Sequence, residues 1–149
     1  MAYIQPMRTG QLDFKDIREN FSLLEDWEDR YRYLIDLGGR LEPIPDSERN
    51  DRNKVRGCAS QVWLWTQHGD DGRLHFVGDS DAHIVRGLVA VVIALFSDRS
   101  PEEILAINAD EQLVELEISE HLSAQRSNGL RSMIKRIEAE ARASAGKAV

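Results

Sequence analysis

Cys58 is the residue of this chain best suited to covalent chemistry, and it is the only cysteine among 149 residues. It follows Gly57, and the conformational freedom of glycine allows a tight loop at that point. Three cations, Arg52, Lys54 and Arg56, precede it closely. Cationic neighbours stabilise a thiolate and lower the pKa of a cysteine, so we expect a nucleophilic thiol here. The alternative is that Cys58 is a small buried hydrophobe.

The stretch Arg126-Ser127-Asn128-Gly129 is a second unusual feature, because we expect the last helix to begin near Ser127 and Asn128. An arginine beside a helix N-terminus adds a fixed charge to the positive end of the helix dipole. Such a position could hold a carboxylate, a thiolate or a persulfide anion. The alternative is a plain helix cap with an exposed arginine.

The four histidines are residues 68, 75, 83 and 121. None is paired at a spacing of four, and neither Cys-x-x-Cys nor His-Glu-x-x-His occurs, so we predict no metal site. His83 and His121 are candidate bases for a Cys–His hydrolase. The alternative for both is a hydrogen-bonding surface or cap residue. The chain contains no phosphate-binding loop and no GxGxxG.

Composition and charge limit the kind of domain that this chain can form and the kind of partner that it can bind. The chain carries 42% apolar and 30% charged residues, which is ordinary for one globular domain over residues 1–149, with 1–12 as a loose lead-in. Its 19 basic and 26 acidic residues give a net charge of −7, which disfavours nucleic acid and favours basic partner surfaces.

The expected location of the protein follows from its cysteine count and hydropathy. A lone cysteine forms no intramolecular disulfide, which fits a reducing compartment. The longest apolar run, Leu88 to Phe96, is far shorter than the roughly 20 residues of a membrane span. The first residues lack the apolar core of a signal peptide. We therefore expect a cytoplasmic protein that makes no membrane contact.

Helical spacing of apolar residues predicts two packed helices near the N-terminus, at about residues 13–20 and 23–37. Ser22 and Glu25 match a capping box for the second helix. The pair Gly38-Gly39 predicts a left-handed cap at its end.

A polar loop over residues 40–54 leads to Cys58, and loops of this length are often functional. Residues 60–67 and 74–78 then predict two strands of an antiparallel hairpin joined by a tight turn. Residues 53–56 are a candidate for a short third strand.

The remainder is predicted to be helical. Asp79-Ser80-Asp81 is expected to cap a helix over about 82–96, which is apolar almost all round and therefore central. Gly87 within it is expected to pack closely against the hairpin. A short helix is predicted for about 101–106, and residues 110–117 fit both periodicities, with helix favoured over strand. The fold class is α+β, with a small, mainly antiparallel sheet packed against helices.

Several stretches follow one known family pattern in order. They are Trp27, Glu28, Tyr31, Tyr33, Leu34, Ile35, Leu37 and Gly38; Gly57-Cys58-Ala59-Ser60-Gln61-Val62-Trp63; Gly78 to Ala82 followed by Ile84 to Ala90; and His121-Leu122 followed by Arg126 to Leu130. Over about residues 20–143 the chain resembles the SufE family, the sulfur-acceptor proteins of iron–sulfur cluster assembly. Ala59 departs from the glutamine found in many relatives, which removes an amide near the sulfur.

The resemblance implies a fold shared with IscU scaffolds and a role in sulfur transfer. SufE-like proteins take sulfur from a pyridoxal-phosphate cysteine desulfurase of the SufS or CsdA type, stimulate that enzyme, and pass the sulfur to a SufBCD-type scaffold. The resemblance implies no cofactor in this chain itself. It makes Cys58 the persulfide acceptor. The implied surroundings of its thiolate or persulfide are Arg56, Gly57, Arg126 and His121, and the implied partner-binding rim is Asp79 and Asp81.

Two other classes of function stay open at this point. One is a noncatalytic adaptor that activates the desulfurase allosterically, for which the Cys58 thiol would be dispensable. The other is a cysteine hydrolase with His83 or His121 as its base.

Overall fold

The chain forms a helical domain around one buried helix and one small sheet. A computed structural model describes residues 13–147, without the side chains of Ser119 and Lys147. The elements are α1 (Phe14–Leu23), α2 (Trp27–Gly38), β1 (Val62–His68), β2 (Leu74–Ser80), α3 (His83–Phe96), α4 (Pro101–Ala106), α5 (Ala109–Val114), α6 (Ile118–His121) and α7 (Ala124–Lys147). The α+β prediction is confirmed, while the expectation for residues 1–12 lies outside the described part.

Helix α3 is the centre of the core, as its composition predicts. Every residue from Gly87 to Phe96 is buried, and the helix contacts α1, α2, α7 and β2. Because each fully buried large aliphatic or aromatic side chain contributes roughly 1.5–3 kcal/mol, this helix makes a large contribution to the apolar stabilisation of the domain. No helix among the described residues is long and apolar enough to cross a membrane.

Helices α2 and α3 approach each other too closely for a side chain at Gly87. A Cβ atom built on Gly87 would lie 2.3 Å from the carbonyl oxygen of Leu34 on α2. The expected close packing at Gly87 therefore exists, but its partner is α2 and not the hairpin. The hairpin makes its own close approach to α3 at Gly78, where a Cβ would lie 2.9 Å from Val89.

Strands β1 and β2 form a two-stranded antiparallel sheet with Leu64 opposite Gly78. The candidate third strand is reduced to one isolated bridge between Lys54 and Trp63. The Val55 amide donates to the Val62 carbonyl at 2.8 Å, but the chain turns away after that point. The prediction of a third strand is therefore wrong, although its residues do lie along β1.

The caps of the first two helices differ from the predicted ones. Helix α1 extends through Ser22, whose hydroxyl donates to the Glu19 carbonyl, so no capping box forms there. Asp26 is the N-cap of α2, because its carboxylate accepts from the Glu28 amide at 3.0 Å. Gly39 ends α2 in the right-handed region at φ −70°, so the predicted left-handed cap is wrong.

The later boundaries also shift. Asp79 and Ser80 belong to β2, and α3 begins after Ala82 without a side-chain cap, so the predicted cap by residues 79–81 is wrong. Most of α5 (Ala109–Val114) falls within residues 110–117, which contain no strand, so the preference for helix there is confirmed. The last helix, α7, begins at Ala124, three residues earlier than expected.

Candidate functional site

Cys58 lies in a short loop held at both ends by hydrogen bonds of its backbone amides, one to a carbonyl and one to a carboxylate. Before the loop, the Val55 amide donates to the Val62 carbonyl at 2.8 Å. After it, the Gln61 amide donates to the Asp81 carboxylate at 3.0 Å. Between these anchors Gly57 adopts φ 90°, a conformation that favours glycine. The loop therefore has fixed ends and a conformationally permissive centre.

The Cys58 loop packs against the first turns of α7. The Cys58 sulfur lies 3.7 Å from the carbonyl oxygen of Gly129, with its thiol as the donor. At Gly57 a Cβ atom would lie 2.6 Å from the Ser132 hydroxyl oxygen. Arg136, one turn further along the same face, donates to the carbonyls of Arg52 at 2.7 Å and Lys54 at 3.3 Å. The segment before and around the cysteine therefore packs against one face of α7.

A cavity of about 320 Å³ opens beside the Cys58 sulfur. Its lining is mostly apolar and includes a few polar side chains. The lining residues are Cys58, Ala59, Ser60, Ala82, Val85, Leu88, Ser123, Gln125, Arg126, Gly129, Leu130 and Met133. Cys58 is half-buried, so the sulfur is neither locked in the core nor fully presented to solvent. A half-sheltered thiol at a cavity of this size can hold an additional atom without displacing the core.

Burial raises the pKa of the Cys58 thiol, and no neighbouring cation offsets that effect. The expectation of a lowered pKa is therefore wrong for this conformation. Arg56 is exposed and absent from the cavity, so water screens its charge from the sulfur. Desolvation disfavours the thiolate, and the resting sulfur is held as a thiol.

The structure brings Arg126 to the cavity but keeps His121 away from it. Arg126 lies in the first turn of α7 with its amide donating to the Ser123 hydroxyl at 3.2 Å. His121 stacks on Trp27 with ring centroids 4.0 Å apart, and its carbonyl accepts from the Tyr31 hydroxyl. His83 is exposed at the start of α3 and does not line the cavity. Neither histidine lies beside the sulfur as a hydrolase base would.

The two rim aspartates differ in their surroundings. The carboxylate of Asp79 is bound by Arg49 at 2.6 Å and Arg86 at 2.8 Å. Burial opposes its ionisation, but the hydrogen bonds and the two guanidinium charges leave its pKa below the usual range. Asp81 is exposed and accepts from the Gln61 amide. Asp79 ties the polar loop to the hairpin, whereas Asp81 anchors the end of the Cys58 loop.

Several residues of the site that the sequence did not single out lie on α7. Ser132, Met133 and Arg136 face the cysteine loop at helical spacings of three and four. That spacing was visible in the sequence. What was not visible is that this face meets a loop from a distant part of the chain.

A second cavity, of about 300 Å³ and with a mostly polar lining, lies at the opposite end of α3 from the cysteine cavity. In its wall the His75 ring binds Asp98 through Nδ1 at 2.7 Å and Glu42 through Nε2 at 2.8 Å. Burial lowers the pKa of His75, but the two carboxylates outweigh it, so the pKa is raised. No group of three or more His, Cys, Asp or Glu residues within 13–147 is arranged to hold a metal ion.

Known proteins share both the sequence and the shape of this chain. It is 53% identical over 128 residues to an uncharacterized SufE-like protein of Rhizobium meliloti, covering 84% of this chain and 91% of that protein. It is 53% identical over 129 residues to an uncharacterized SufE-like protein of Rhizobium etli, covering 85% and 87%.

A solution structure of a hypothetical protein from Thermus thermophilus has the same fold, with a TM-score of 0.72. Its sequence identity is 18%, and the match covers 92% of this chain and 98% of that one. The SufE domain, described as an Fe-S metabolism associated domain, matches residues 15–141. With its cysteine loop seated on α7 and this domain spanning most of its length, the chain belongs to the SufE family.

Proposed function

We propose that this chain carries sulfur on Cys58 for iron–sulfur cluster assembly. In the proposed reaction a pyridoxal-phosphate cysteine desulfurase of the SufS or CsdA type donates the sulfur. A scaffold of the SufBCD type receives it, and the chain itself holds no cofactor. The observation that supports this role is the half-buried sulfur of Cys58 beside a largely apolar cavity of about 320 Å³.

The chemistry of loading is a thiol–disulfide exchange. The Cys58 thiolate attacks the outer sulfur of the donor's persulfide, the donor's S–S bond breaks, and the donor's thiolate leaves with the electron pair. The proton of the Cys58 thiol goes to solvent or to a base of the donor, and no external oxidant or reductant is consumed. Unloading repeats the exchange with Cys58 as the leaving thiolate.

Burial of the resting thiol fits such a carrier. Because desolvation raises the pKa of Cys58, little thiolate is available to stray oxidants while the loop rests on α7. Movement of the loop between its two anchors toward water would remove the desolvation that raises the pKa of Cys58. The nucleophilic thiolate would then form at the surface, where the donor binds. Back on α7, the cavity would shelter the persulfide, and Arg126 on its wall would supply a positive charge to the persulfide anion.

The decisive experiment is an intact-mass measurement. The protein is incubated with a cysteine desulfurase and L-cysteine and weighed with and without dithiothreitol. We expect a gain of one sulfur atom on the wild type, its loss on reduction, and no gain on Cys58→Ser. If the wild-type mass stays unchanged with both SufS-type and CsdA-type enzymes, the chain is not a sulfur carrier.

The same samples separate carriage from allosteric activation. Sulfide or alanine release by the desulfurase is measured with each variant. A carrier loses its stimulation in Cys58→Ser, because turnover then lacks a sulfur acceptor. Undiminished stimulation by Cys58→Ser, together with no mass gain on the wild type, would instead identify a noncatalytic activator.

A further inference from the structure

The positive charge of this acidic chain is concentrated around Cys58. Residues 52–61 and 124–136 contain seven lysines and arginines and no aspartate or glutamate, although the whole chain has a net charge of −7. These two segments meet in space, because Gly129 contacts Cys58 and Arg136 binds the carbonyls of the residues before it. The fold therefore brings basic residues from two distant parts of the chain into the same region.

Four of these cations lie on the cysteine segment or on the wall of its cavity, and we refer to Arg52, Lys54, Arg56 and Arg126 as the basic rim. Three of them lie on the segment that leads into the Cys58 loop, and Arg126 lines the cavity. Arg131 and Lys135 are excluded, since they line a separate groove between α7 and the helices α4 and α5. Arg136 is also excluded, because Glu140 binds it at 3.1 Å.

The side chains of the basic rim have no carboxylate partner among the described residues. Most arginines elsewhere in the fold do have one, on α1, α2, the polar loop, the hairpin and α3, whereas Arg99, Arg131 and Arg142 are single cations that lie apart from the cysteine cavity. Four like charges without counter-charges repel one another, so charge pairing in the fold does not account for them. An uncompensated cluster at the edge of a reactive site is instead suited to attract an opposite charge on a partner.

We infer that the basic rim docks the persulfide donor through aspartate and glutamate side chains around the mouth of the donor's active site. This inference rests on the proposed function, because it concerns the partner of the same cysteine. A carboxylate collar on the donor would pair with the rim while the apolar cavity and the Cys58 loop face the donor's sulfur. Nucleic acid fits less well, since four cations stand against the repulsion between a polyphosphate and a chain of net charge −7.

The test compares two charge reversals on exposed arginines that pair with no carboxylate within residues 13–147. Arg52→Glu changes the basic rim, and Arg142→Glu changes the distal part of α7 by the same charge. The dissociation constant for a desulfurase that loads Cys58 is measured by calorimetry across a salt series. At low salt we expect Arg52→Glu to weaken binding about tenfold and Arg142→Glu to change it less than about twofold. The wild-type affinity should fall with salt, and that of Arg52→Glu should fall less steeply.

Competition identifies the chemistry of the partner. Poly-L-glutamate should inhibit sulfur loading of the wild type and should inhibit Arg52→Glu less. Equal effects of the two reversals on affinity, or equal inhibition by poly-L-glutamate and double-stranded DNA, would overturn the inference. Because loading of Cys58 is scored by mass in the same samples, a normal mass gain with no charge effect refutes the docking surface and leaves the carrier role intact.

Alkylation of Cys58 by neutral iodoacetamide is the control for the loop itself. The rate should be the same in wild type, Arg52→Glu and Arg142→Glu, because the inferred role of Arg52 is to contact the partner and not to activate the thiol. A large change in this rate for Arg52→Glu alone would overturn the inference, since the loss of affinity would then follow from a disturbed loop.

Discussion

Replacing Gly87 with alanine is a direct test of the packing that holds the site's framework together. The added Cβ would lie 2.3 Å from the Leu34 carbonyl oxygen and 2.6 Å from its carbonyl carbon. Both are backbone atoms of α2, so no side-chain rotation can relieve the overlap. Helices α2 and α3 must therefore separate, or the backbone must bend.

The magnitude follows from two opposing effects. Overpacking at such a rigid contact costs about 3 kcal/mol. Alanine recovers about 1 kcal/mol through its better helix propensity. We therefore expect a net loss of about 2 kcal/mol in the free energy of unfolding, or about 4–8 °C in Tm for a chain of this size.

The assay is urea denaturation followed by far-UV circular dichroism, with Gly146→Ala as the matched control. A Cβ at Gly146 meets nothing within 4 Å, so that substitution should be neutral or stabilising by up to about 1 kcal/mol. We expect a lower urea midpoint for Gly87→Ala at an unchanged slope. If Gly87→Ala unfolds at the wild-type urea concentration, the close approach of the two helices is wrong.

Three further predictions concern individual ionisable groups. The rate of Cys58 alkylation by iodoacetamide should reach half its maximum at a higher pH than in the urea-unfolded chain, because burial raises the pKa of this thiol; coincident profiles would contradict this. Asp79→Asn should destabilise the protein by about 1–2 kcal/mol at pH 7, since Arg49 and Arg86 lose their carboxylate. Folding lowers the pKa of Asp79, so the difference in unfolding free energy between wild type and Asp79→Asn should shrink as acid protonates Asp79. Urea midpoints measured at a series of pH values test this trend. His75→Gln should lower the free energy of unfolding at pH 6, where the charged His75 ring of the wild type binds Glu42 and Asp98. The difference from the wild type should shrink as the pH rises through the raised pKa of His75, because the wild-type ring then loses its charge as well. A difference that stays constant with pH would refute this.

The features that the sequence predicted well depend on local composition. The apolar stretch of α3 and the bulky residues of the first strand indicate burial by themselves, so the helix and the hairpin were found at nearly their true bounds. Helix ends were less predictable because neighbouring caps compete. Ser22 and Asp26 are both suitable N-caps, and only the length of α1 decides that Asp26 serves.

For the candidate site, too, some features could be predicted from the sequence and others could not. Cys58 and Arg126 were identified from residue type and position, and the structure places both at one cavity. The protonation of Cys58 was not predictable, because it depends on how much of α7 covers the sulfur and on where the long Arg56 side chain points. The seat provided by Ser132 and Arg136 likewise requires knowing which face of α7 meets the loop.

A solitary thiol has consequences for oxidative damage and for experiment. A sulfenic acid formed on Cys58 has no second thiol in the chain to resolve it, so repair depends on glutathione or another external thiol. Prolonged air exposure can form a disulfide only between molecules, as a covalent homodimer. For the same reason a maleimide dye or nitroxide label attaches at a single atom of the unmodified chain, and its spectrum reports the environment of the cysteine loop.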